Sequence, residues 1–360
     1  MKLKRICLLS APAILVGACH PAIPRHTRPQ PLPARPPSAS ALPAASEDIV
    51  LDFVGDCTFG SVNGDSGPAR FPAVFRDSGL ADYPFHRVRR WLADDDLTIA
   101  NFECTLTDAT KTADKQWHFK GPARYADIFP AGSVEVAGIA NNHAHDYLQA
   151  GFDDTAANLR KAGVPAFYQS HPYVTTIKGV EVVIIGDCTV VGENTTVIGD
   201  APGRVLGQII RYKKPDNIVV VFLHWGSELD KTPRPWQQAL GRRFIRAGAD
   251  AVIGAHPHVV QGIEKYMGRY IVYSLGNFAF GGNTRSRHPE TLILRLMRYG
   301  AGRPLSATVI PCLTTSSGSV INNYQPTTAH GAQAQQIIDE IRVRSRSLTY
   351  GIKTLDIAPG

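Results

Sequence analysis

The sequence predicts an α/β sandwich with mixed sheets, formed by a single domain at residues 49–360. Short apolar runs with the character of buried strands alternate with amphipathic stretches of helical period, which is the order of elements in α/β folds. Two of these runs are joined by only Lys178 and Gly179 and therefore predict an antiparallel hairpin. With 360 residues, 44% of them hydrophobic, the chain can bury a core of this size.

Residues 1–48 are predicted to lie outside this domain. Residues 1–19 have a basic start, an apolar run and small residues at the end, which is the layout of a secretory signal peptide. The last four, Val16-Gly17-Ala18-Cys19, are similar to a bacterial lipobox, whose Cys is lipidated; the alternative is an ordinary cleaved signal in which Cys19 is incidental. Residues 20–48 are rich in Pro, Ala, Arg and Ser and predict a semi-extended linker. We expect an acyl-anchored protein of the cell envelope, on the periplasmic side or at the outer membrane.

The composition narrows the choice of partner. The formal net charge is +7, of which three units belong to the predicted signal peptide, so the basic excess fits an anionic substrate but is too weak to indicate nucleic acid. No nucleic-acid-binding motif is visible either. The cysteines beyond Cys19 have no zinc-binding spacing, and we expect them to be small buried residues without a disulfide framework. They are Cys57, Cys104, Cys188 and Cys312.

The first half of the domain shows three strand-like and three helix-like segments. The strands are predicted at residues 49–54, 97–100 and 134–139. The helices are predicted at residues 83–92, 124–129 and 151–162, the last of which stops at Gly163. Two segments are predicted to be irregular: residues 63–80, which are punctuated by Gly and Pro, and the polar residues 105–120.

The second half begins with the predicted hairpin of residues 173–177 and 180–185. Further strands are predicted at residues 218–223, 251–253, 270–274, 291–297 and 307–310. Helices are predicted at residues 236–247 and 333–342. No period of 20–50 residues recurs, so a repeat architecture is excluded.

Side chains that bind metals or move protons follow five of these strands. They are Asp56, Glu103, Asn142 with His143, His224, and His256 with His258. A doubly wound sheet brings such strand ends together along one edge. Two carboxylates, an amide and three or four imidazoles suit manganese, iron, zinc or similar ions, whereas calcium would require more oxygens. Each residue alone has an ordinary explanation as a turn residue, solvated charge, helix cap or core imidazole, and their joint placement is what predicts a metal site.

The motifs around these residues resemble those of a known family. They are Gly55-Asp56, Asn101-Phe102-Glu103, Phe119-Lys120, Ala140-Asn141-Asn142-His143 with Asp146, His224-Trp225-Gly226 with Glu228, Gly254-Ala255-His256-Pro257-His258, and Ser274-Leu275-Gly276-Asn277-Phe278. In this order they resemble the CapA (PGA_cap) family of bacterial capsule and poly-γ-glutamate biosynthesis proteins, which is related to the calcineurin-like metallophosphoesterases. The resemblance covers roughly residues 49–280 and implies a metallophosphoesterase-type αββα sandwich. The chain after Phe280 carries no such motif.

The resemblance also implies a site with one or two divalent ions. The implied ligands are Glu103 as a bridge, Asp56 and His258 at one ion, and Asn142, His224 and His256 at the other. His143 would stay off the ions and act as proton donor or anion clamp. Two departures stand out: Thr58 occupies a position where the wider superfamily has a His, and the bridge is Glu103 rather than Asp. The first ion therefore lacks a nitrogen ligand.

Three further residues each have two interpretations. Asp146 either orients His143 as a supporting carboxylate or is an exposed charge in the first turn of a helix. Trp225 either lines a substrate pocket or belongs to the core, and Asn277 either contacts substrate or is a turn residue. Asp187 repeats the Gly-Asp-Cys pattern of the first strand end, and we predict that it is a decoy.

Two functions fit these observations. The first is a metal-dependent hydrolase of the cell envelope that acts on an anionic polymer or on its intermediate. The second is a non-catalytic component of capsule synthesis that uses the same pocket to bind a polymer such as poly-γ-glutamate, or to stabilise a membrane synthase complex. The ligand set favours the hydrolase and Thr58 favours the binder. The resemblance indicates a process and not a reaction, since one fold hosts many chemistries.

Overall fold

A computed structural model of the chain describes residues 48–190 and 200–357. The predicted signal peptide and its Cys19 lie outside the described residues, as does the predicted linker up to residue 47. The described residues all belong to one unit, Ala45–Gly360. The helices among them were searched for membrane spans, and none is both long and apolar enough to cross a bilayer.

The elements up to residue 190 are nine strands and several short helices. The strands are β1 (Ile49–Thr58), β2 (Ser61–Val62), β3 (Leu97–Phe102), β4 (Thr105–Leu106), β5 (Phe119–Gly121), β6 (Val136–Gly138), β7 (Ala166–Phe167), β8 (Tyr173–Ile177) and β9 (Val180–Cys188). The helices are α1 (Phe71–Ser78), α2 (Arg89–Leu92), a 3₁₀ turn (Ala123–Asp127), α3 (Ile128–Ala131) and α4 (Leu148–Lys161).

The elements after residue 200 complete both sheets. The helices are α5 (Ala201–Tyr212), α6 (Pro235–Ala247) and α7 (Gly331–Arg346). The strands are β10 (Ile218–His224), β11 (Ala251–Ala255), β12 (Ile263–Tyr266), β13 (Arg269–Val272), β14 (Asn277–Phe280), β15 (Glu290–Arg298), β16 (Ser306–Leu313), β17 (Thr327–Thr328) and β18 (Asp356–Ile357).

Two large sheets combine parallel and antiparallel strands, as the sequence predicts. The first has the order β17-β16-β15-β1-β3-β6-β7, with β14 added to β1 and β18 to β16. Its strands β1, β3, β6 and β7 are parallel, whereas β15 is antiparallel to both β1 and β16. Strand β16 is antiparallel to β17 and parallel to β18. The second has the order β12-β13-β11-β10-β9-β8, with a parallel centre and antiparallel edges. A small third sheet joins β2, β5 and β4.

The two large sheets face each other across a continuous apolar layer. Phe53 of the first sheet meets Phe222 of the second edge to face, with ring centroids 5.9 Å apart. Helices α1–α4 cover the outer face of the first sheet, and α5 and α6 cover that of the second. Burying each large apolar side chain in these layers contributes about 1.5–3 kcal/mol. The order of layers is therefore the αββα sandwich that the family resemblance implies.

Helix α7 closes one side of the sandwich. It contacts β12 of one sheet and β16 of the other, and it inserts Ile337 and Ile341 into the apolar layer between them. Its exposed side carries Gln, Glu and Arg residues, so the helix is amphipathic as predicted. Helix α7 therefore covers one side of the sandwich, whereas the carboxyl ends of the central parallel strands remain free to form a site.

The largest difference from the predicted elements lies between residues 61 and 92. The predicted loop contains α1, whose Phe71 stacks on Phe75 and packs against Phe59 at centroid distances of 5.6 Å and 5.8 Å. Gly79 ends this helix with a left-handed φ of 68°. The helix predicted at residues 83–92 is mostly turns and becomes α-helical only in α2. Contacts between aromatic side chains determine the structure of this region, and the hydrophobic periodicity of the local sequence does not reveal such contacts.

Several elements were absent from the sequence prediction; besides α1 they are helix α5, strand β14 and the short strands β2, β4, β5, β7, β12, β17 and β18. Helix α5 begins at Asp200, whose carboxylate accepts a hydrogen bond from Gly203 N at 2.9 Å and caps the helix. Strand β14 was assigned to a loop, but it pairs in parallel with β1 and places Asn277 beside Asp56. Its four residues are too few to show a strand period. The four cysteines of the domain are buried and free, as predicted.

Candidate metal centre

The candidate ligands come from both large sheets. Asp56, Glu103 and Asn142 lie at the carboxyl ends of β1, β3 and β6 in the first sheet, and His224, His256 and His258 follow β10 and β11 in the second. The expectation that they share one edge of one doubly wound sheet is therefore wrong. Because two facing sheets have their parallel strands ending on the same side, the side chains meet across the gap between the sheets instead.

Glu103 lies at the middle of this group. Its Oε1 is 3.4 Å from His224 Nε2, 3.9 Å from His143 Nε2 and 4.0 Å from His258 Nε2. Both carboxylate oxygens are fully buried and have no hydrogen-bond partner. Burial alone would raise the pKa of this carboxyl, but the His258 and His224 imidazoles outweigh burial and lower the pKa below its ordinary value. A buried carboxylate without partners is costly unless a cation neutralises it, so the residues present fit a metal ion.

Four donor groups surround one point beside His224. The nearest donor atoms of Glu103, His224 and His256 all lie within 4.8 Å of one another. His224 Nε2 is 2.7 Å from Asn142 Oδ1 and 3.1 Å from His256 Nδ1. Burial, followed by the neighbouring His224 and His258, lowers the pKa of His256 well below its ordinary value. A neutral imidazole is the form that binds metals, so this set can hold a divalent ion with mixed nitrogen and oxygen ligands.

A second group of three donors lies next to the first. The nearest donor atoms of Asp56, Glu103 and His258 are again within 4.8 Å of one another. His258 Nδ1 is 3.1 Å from Asp56 Oδ2 and 2.8 Å from Asn277 Oδ1. Burial lowers the pKa of His258, but the Glu103 and Asp56 carboxylates outweigh it and raise that pKa to about 10. Asn101 fixes the other oxygen of Asp56 by donating from Nδ2 at 2.7 Å.

Thr58 does not replace the missing nitrogen ligand. Its side chain is fully buried, and its hydroxyl donates to the backbone carbonyl of Glu103 at 2.9 Å. The backbone N–H of Glu103 donates in turn to the carbonyl of Cys57 at 2.8 Å. Thr58 therefore holds the segment that carries Glu103, and the Asp56–His258 side of the site has one donor fewer than the His224 side.

The histidine turn after β11 is conformationally strained. His256 and His258 both have left-handed backbones, with φ of 96° and 57°. For residues with a Cβ this conformation costs on the order of 1–2 kcal/mol each. The preceding Gly254 allows close packing, because a Cβ there would lie 2.0 Å from the carbonyl oxygen of Tyr273. The packed strands thus hold the two imidazoles in positions that the free chain would rarely adopt.

His143 stands beside the ligands and is oriented by Asp146. Its Nδ1 is 2.7 Å from Asp146 Oδ2, and the other oxygen of Asp146 accepts a hydrogen bond from Lys115 Nζ at 2.5 Å. Asp146 is completely buried, so its interpretation as an exposed helix charge is excluded. An ionised carboxylate only accepts hydrogen bonds, and it therefore keeps the Nδ1 proton on His143. The Nε2 atom consequently faces Glu103.

Trp225 does not line the site. The direction of side chains alternates along β10, so His224 points toward the ligands and the next residue points away. The Trp225 ring is fully buried in the apolar layer under α6, where it stacks on Tyr273 at a centroid distance of 5.7 Å and donates from Nε1 to the Tyr273 carbonyl at 2.8 Å. Its interpretation as a substrate contact is therefore wrong, and the core alternative holds.

Asn277 and Asp187 lie in contrasting places. Asn277 lines the open cavity beside the ligands and orients His258, so it is placed to contact a substrate. Asp187 is buried at the end of β9 and receives two hydrogen bonds from Arg204, at 2.9 Å and 3.0 Å. Both of its oxygens therefore have an arginine as hydrogen-bond partner, whereas those of Glu103 have no hydrogen-bond partner, and the prediction of a decoy fits this arrangement.

Sequence reasoning missed several residues of the site. Asn101 and Glu228 stood inside recognised motifs but were given no role. Lys115 lies in the polar stretch that showed no periodicity, although it is only 10% exposed and also donates to the Asn142 carbonyl at 2.9 Å. Phe119 places its ring 4.1 Å from that of His143. The nearby Phe119-Lys120 motif was the signal that could have drawn attention to this stretch.

An open cavity of about 610 Å³ leads from the ligands to the surface. His143, His258 and Asn277 form its inner end, and Phe119 and Phe280 form part of its wall. Basic side chains are frequent in the lining: they are Arg70, Arg285, Arg287 and His288. Trp117, about half exposed, lies on the rim. The cavity therefore joins the candidate metal centre to a basic entrance.

Comparison with known proteins identifies the family. The sequence model described as "Bacterial capsule synthesis protein PGA_cap" matches residues 50–282, which is more than half of the chain. The chain belongs to this family. The matched range contains all six candidate ligands and ends before the basic residues Arg285 and Arg287 of the cavity entrance.

Relatives with related names match at moderate identity. The PGA biosynthesis protein CapA of Bacillus subtilis (strain 168) is 31% identical over 277 residues, covering 72% of this chain and 70% of that protein. The capsule biosynthesis protein CapA of Bacillus anthracis is 33% identical over 265 residues, covering 67% and 62%. A probable polyglutamine synthesis accessory protein of Mycobacterium tuberculosis (strain ATCC 25618 / H37Rv) is 28% identical, covering 60% and 65%. This PGA_cap chain thus spans about two thirds of the length of these relatives.

Solved structures are similar only at a low level. A phosphatase from Mycoplasma pneumoniae has a TM-score of 0.44 at 11% identity, covering 74% of this chain and 94% of that chain. A 5'-nucleotidase from Candida albicans SC5314 has a TM-score of 0.41 at 10% identity, covering 83% and 57%. A likeness of this size carries no information about the reaction of this PGA_cap protein.

Proposed function

We propose that this PGA_cap protein is a metal-dependent hydrolase of the cell envelope, acting in capsule or poly-γ-glutamate biosynthesis on an anionic polymer or its intermediate. The observation that carries the proposal is Glu103, whose two buried oxygens lack partners and lie among donors from both sheets. The names of the relatives support the process, and the donor set supports the chemistry.

The residues that would hold the ions form two overlapping sets. Glu103 belongs to both; Asp56 and His258 complete one, and Asn142, His224 and His256 complete the other. Divalent ions bound there would activate water and stabilise anionic oxygens as Lewis acids. The mixed nitrogen and oxygen donors indicate a class of ion, that of manganese, iron or zinc.

The chain's own proton donor is His143. Asp146 fixes the Nδ1 proton, so that Nε2 is the atom that exchanges a proton with a bound substrate. Lys115 and the Phe119 backbone N–H both donate to Asp146 at 2.5 Å, which holds the carboxylate in place. His143 also lines the inner end of the cavity, so a leaving oxygen bound there would be within its reach.

The cavity supports an anionic substrate. Three arginines and His288 line it together with one carboxylate, that of Glu228. Arginines bind carboxylate and phosphate groups through forked hydrogen bonds, so the lining suits a polymer that carries either group. An aromatic and apolar rim at Trp117 and Leu229 would shield part of a bound chain from water.

A non-catalytic function is the second candidate, and Thr58 favours it. With the Thr58 hydroxyl bound to the Glu103 carbonyl, the Asp56–His258 set has three donors and one nitrogen ligand. A weakly bound ion there would reduce hydrolytic power but would leave the basic cavity able to bind a polymer or to dock on a membrane synthase complex. The two candidates differ in turnover and not in binding.

The variant His143→Ala separates these candidates. Metal content should stay close to that of the wild type, because His143 is not among the donors that converge on either set. Hydrolysis of phosphodiester and γ-glutamyl substrates should fall by about 10²–10⁴-fold, the usual contribution of a general acid. His86→Ala, at the surface of another cavity, is the matched control. Turnover that survives His143→Ala would contradict the acid role, and polymer binding without turnover in the wild type would favour the binder.

Anchoring at the envelope is a separate part of the proposal. The lipobox-like Val16-Gly17-Ala18-Cys19 and the Pro-rich residues 20–48 support a lipidated protein held off the membrane surface by a linker. Replacing Cys19 with Ala should release the protein from the membrane fraction and abolish labelling by a fatty-acid analogue. Membrane fractionation that is unchanged in Cys19→Ala would contradict lipid anchoring.

A further inference from the structure

One acidic side chain near the metal centre has no role so far. Glu228 follows β10 in the exposed loop of residues 226–230 and lines the cavity. Its carboxylate and one nitrogen of each of His256 and His258 lie within 4.8 Å of one another. Atoms that bind one ion at about 2.0–2.2 Å are at most about 4.4 Å apart, so this spacing is within a small side-chain adjustment of shared coordination.

The loop that carries Glu228 is fastened to the histidine turn. The backbone N–H of Leu229 donates to the Pro257 carbonyl at 2.8 Å, between the two imidazoles, and the N–H of Trp225 donates to the Ala255 carbonyl at 3.1 Å. Leu229 has a left-handed φ of 60°, which a leucine adopts only when its surroundings impose it. The same loop is held from its far end, where Gln261 Nε2 donates to the Asp230 carbonyl at 2.6 Å.

The two ligand sets differ in completeness, which indicates where Glu228 would act. The His224 side has four protein donors, counting Asn142, whereas the Asp56 side has three. The Thr58 hydroxyl, which donates to the Glu103 carbonyl, is a poorer ligand for such ions than an imidazole would be. Glu228 lines the cavity together with His258, and its carboxylate lies near His256 and His258, so it can reach an ion that His258 binds.

We propose that Glu228 is a metal ligand that completes, from the cavity side, the coordination of the ion held by Asp56, Glu103 and His258. The ligand class of this site is a divalent cation of the manganese, iron or zinc type. The inference rests on the metal centre of the proposed function and adds a carboxylate to it. In this chain the second sheet therefore supplies the donor that the first sheet lacks at Thr58.

The test measures metal binding without any assay of activity. Full-length protein freed of metal with a chelator is titrated with Mn²⁺ by calorimetry, and bound metal is counted by mass spectrometry. The wild type should bind two ions. Glu228→Gln, which keeps the shape but weakens the ligand, should bind one ion as before and the other at least about 10-fold more weakly, since losing a metal contact costs this much or more. Glu228→Asp, with a shorter reach, should lie between the two.

Asp230→Asn is the matched control, because Asp230 belongs to the same loop and binds Arg234 at 2.6 Å instead of facing the histidines. It should bind both ions as the wild type does, and circular dichroism should show all three variants folded. If Glu228→Gln binds both ions with unchanged affinity, the inference is wrong and the metal centre stands. If the wild type binds no Mn²⁺, Zn²⁺ or Fe²⁺ at all, the metal centre itself is wrong and the inference falls with it.

Discussion

Buried acids in this protein show how unusual Glu103 is. Asp52 receives two hydrogen bonds from Arg295, at 2.8 Å and 2.9 Å, and Glu264 is held by Arg242 and by the Tyr273 hydroxyl. Among the buried acidic side chains of the described residues, only Glu103 has oxygens without a hydrogen-bond partner. An ion pair or a set of donors offsets the cost of burying each of the others. The same requirement at Glu103 is what supports a bound cation in the candidate site.

Asp95 provides a test of residue-level electrostatics away from the site. Burial, followed by the charge of Asp52, raises the pKa of Asp95 to about 8. The folded protein keeps this proton up to that pH, whereas an unfolded chain releases it near pH 4. Between about pH 4 and pH 8, folding is therefore accompanied by the uptake of a proton at Asp95. The contribution of Asp95 to the free energy of unfolding should decrease as the pH rises through this range, by at most about 1.4 kcal/mol per pH unit.

Asp95→Asn should remove this dependence, since an amide oxygen can still accept the bond that Thr98 Oγ1 donates at 2.6 Å. Urea unfolding at several pH values, compared with the exposed control Asp108→Asn, measures the slope. A wild-type curve parallel to that of Asp95→Asn between pH 4 and 8 would show that Asp95 is ionised in the folded protein.

At the scale of elements, the site depends on how closely β14 approaches β1. The Asp56 N–H donates to the Gly276 carbonyl at 3.0 Å, and a bulge at Asp56 interrupts the register of β1 with both of its parallel neighbours. A Cβ on Gly55 would lie 2.0 Å from that same carbonyl oxygen. The glycine is therefore required by the contact, and the contact places Asn277 against His258.

Gly55→Ala should force β14 away from β1 and lower the free energy of unfolding by a few kcal/mol, the range typical of overpacking. Mn²⁺ affinity should fall with it, because Asn277 would no longer hold His258. The control is Gly207→Ala in α5, where a Cβ would meet no atom within 4 Å. It should instead stabilise the protein by about 0.5–1 kcal/mol, as alanine does in helices. Equal effects of the two substitutions would contradict the steric argument.

At the scale of the molecule, the candidate ligands connect two sheets at one edge of the apolar layer between them. Asp56 and Glu103 come from one sheet and the three histidines from the other. A ligand that binds only the folded state stabilises it by mass action, by about 2.7 kcal/mol when its concentration is 100 times its Kd. Because the donors are brought together only by folding, the unfolded chain should compete poorly for the ion.

Saturation with Mn²⁺ should therefore raise the thermal midpoint of the wild type by several degrees, and a chelator should reverse the change. Glu103→Gln removes the shared carboxylate and should abolish most of this shift, while Asp187→Asn should retain it. Asp187→Asn would lose some stability of its own, since it weakens the bonds from Arg204. A metal-dependent shift that persists in Glu103→Gln would argue against a bridging role for this residue.

The sequence allowed the fold class and the ligand-bearing loops to be predicted because both are encoded locally. The apolar run of residues 218–223 is short and rich in Val and Ile, which favours a buried strand, and His224 follows directly from it. The αββα arrangement followed from motif resemblance. The distribution of ligands over two sheets did not, because strand ends on one sheet and on two facing sheets give the same linear pattern.

The parts that could not be predicted depend on contacts between distant segments. Lys115 reaches Asp146 across 31 residues, and α1 is set by aromatic rings from several elements. The position of Trp225 was ambiguous because it directly follows the candidate ligand His224. Only the alternating direction of side chains along β10 shows that His224 points to the site and Trp225 to the core. Tertiary packing outweighs local propensity in each of these cases.

Different segments of the chain form the entrance and the inner end of the cavity. The loop with Arg285 and Arg287 is braced by a late segment: Ser286 N donates to the Val320 carbonyl at 2.8 Å, and Asn322 N donates to the Thr284 carbonyl at 3.0 Å. Both segments joined by these hydrogen bonds lie beyond residue 282, where the family match ends. Substitutions of Arg285 and Arg287 would therefore change the charge at the cavity entrance while leaving all six candidate metal ligands in place.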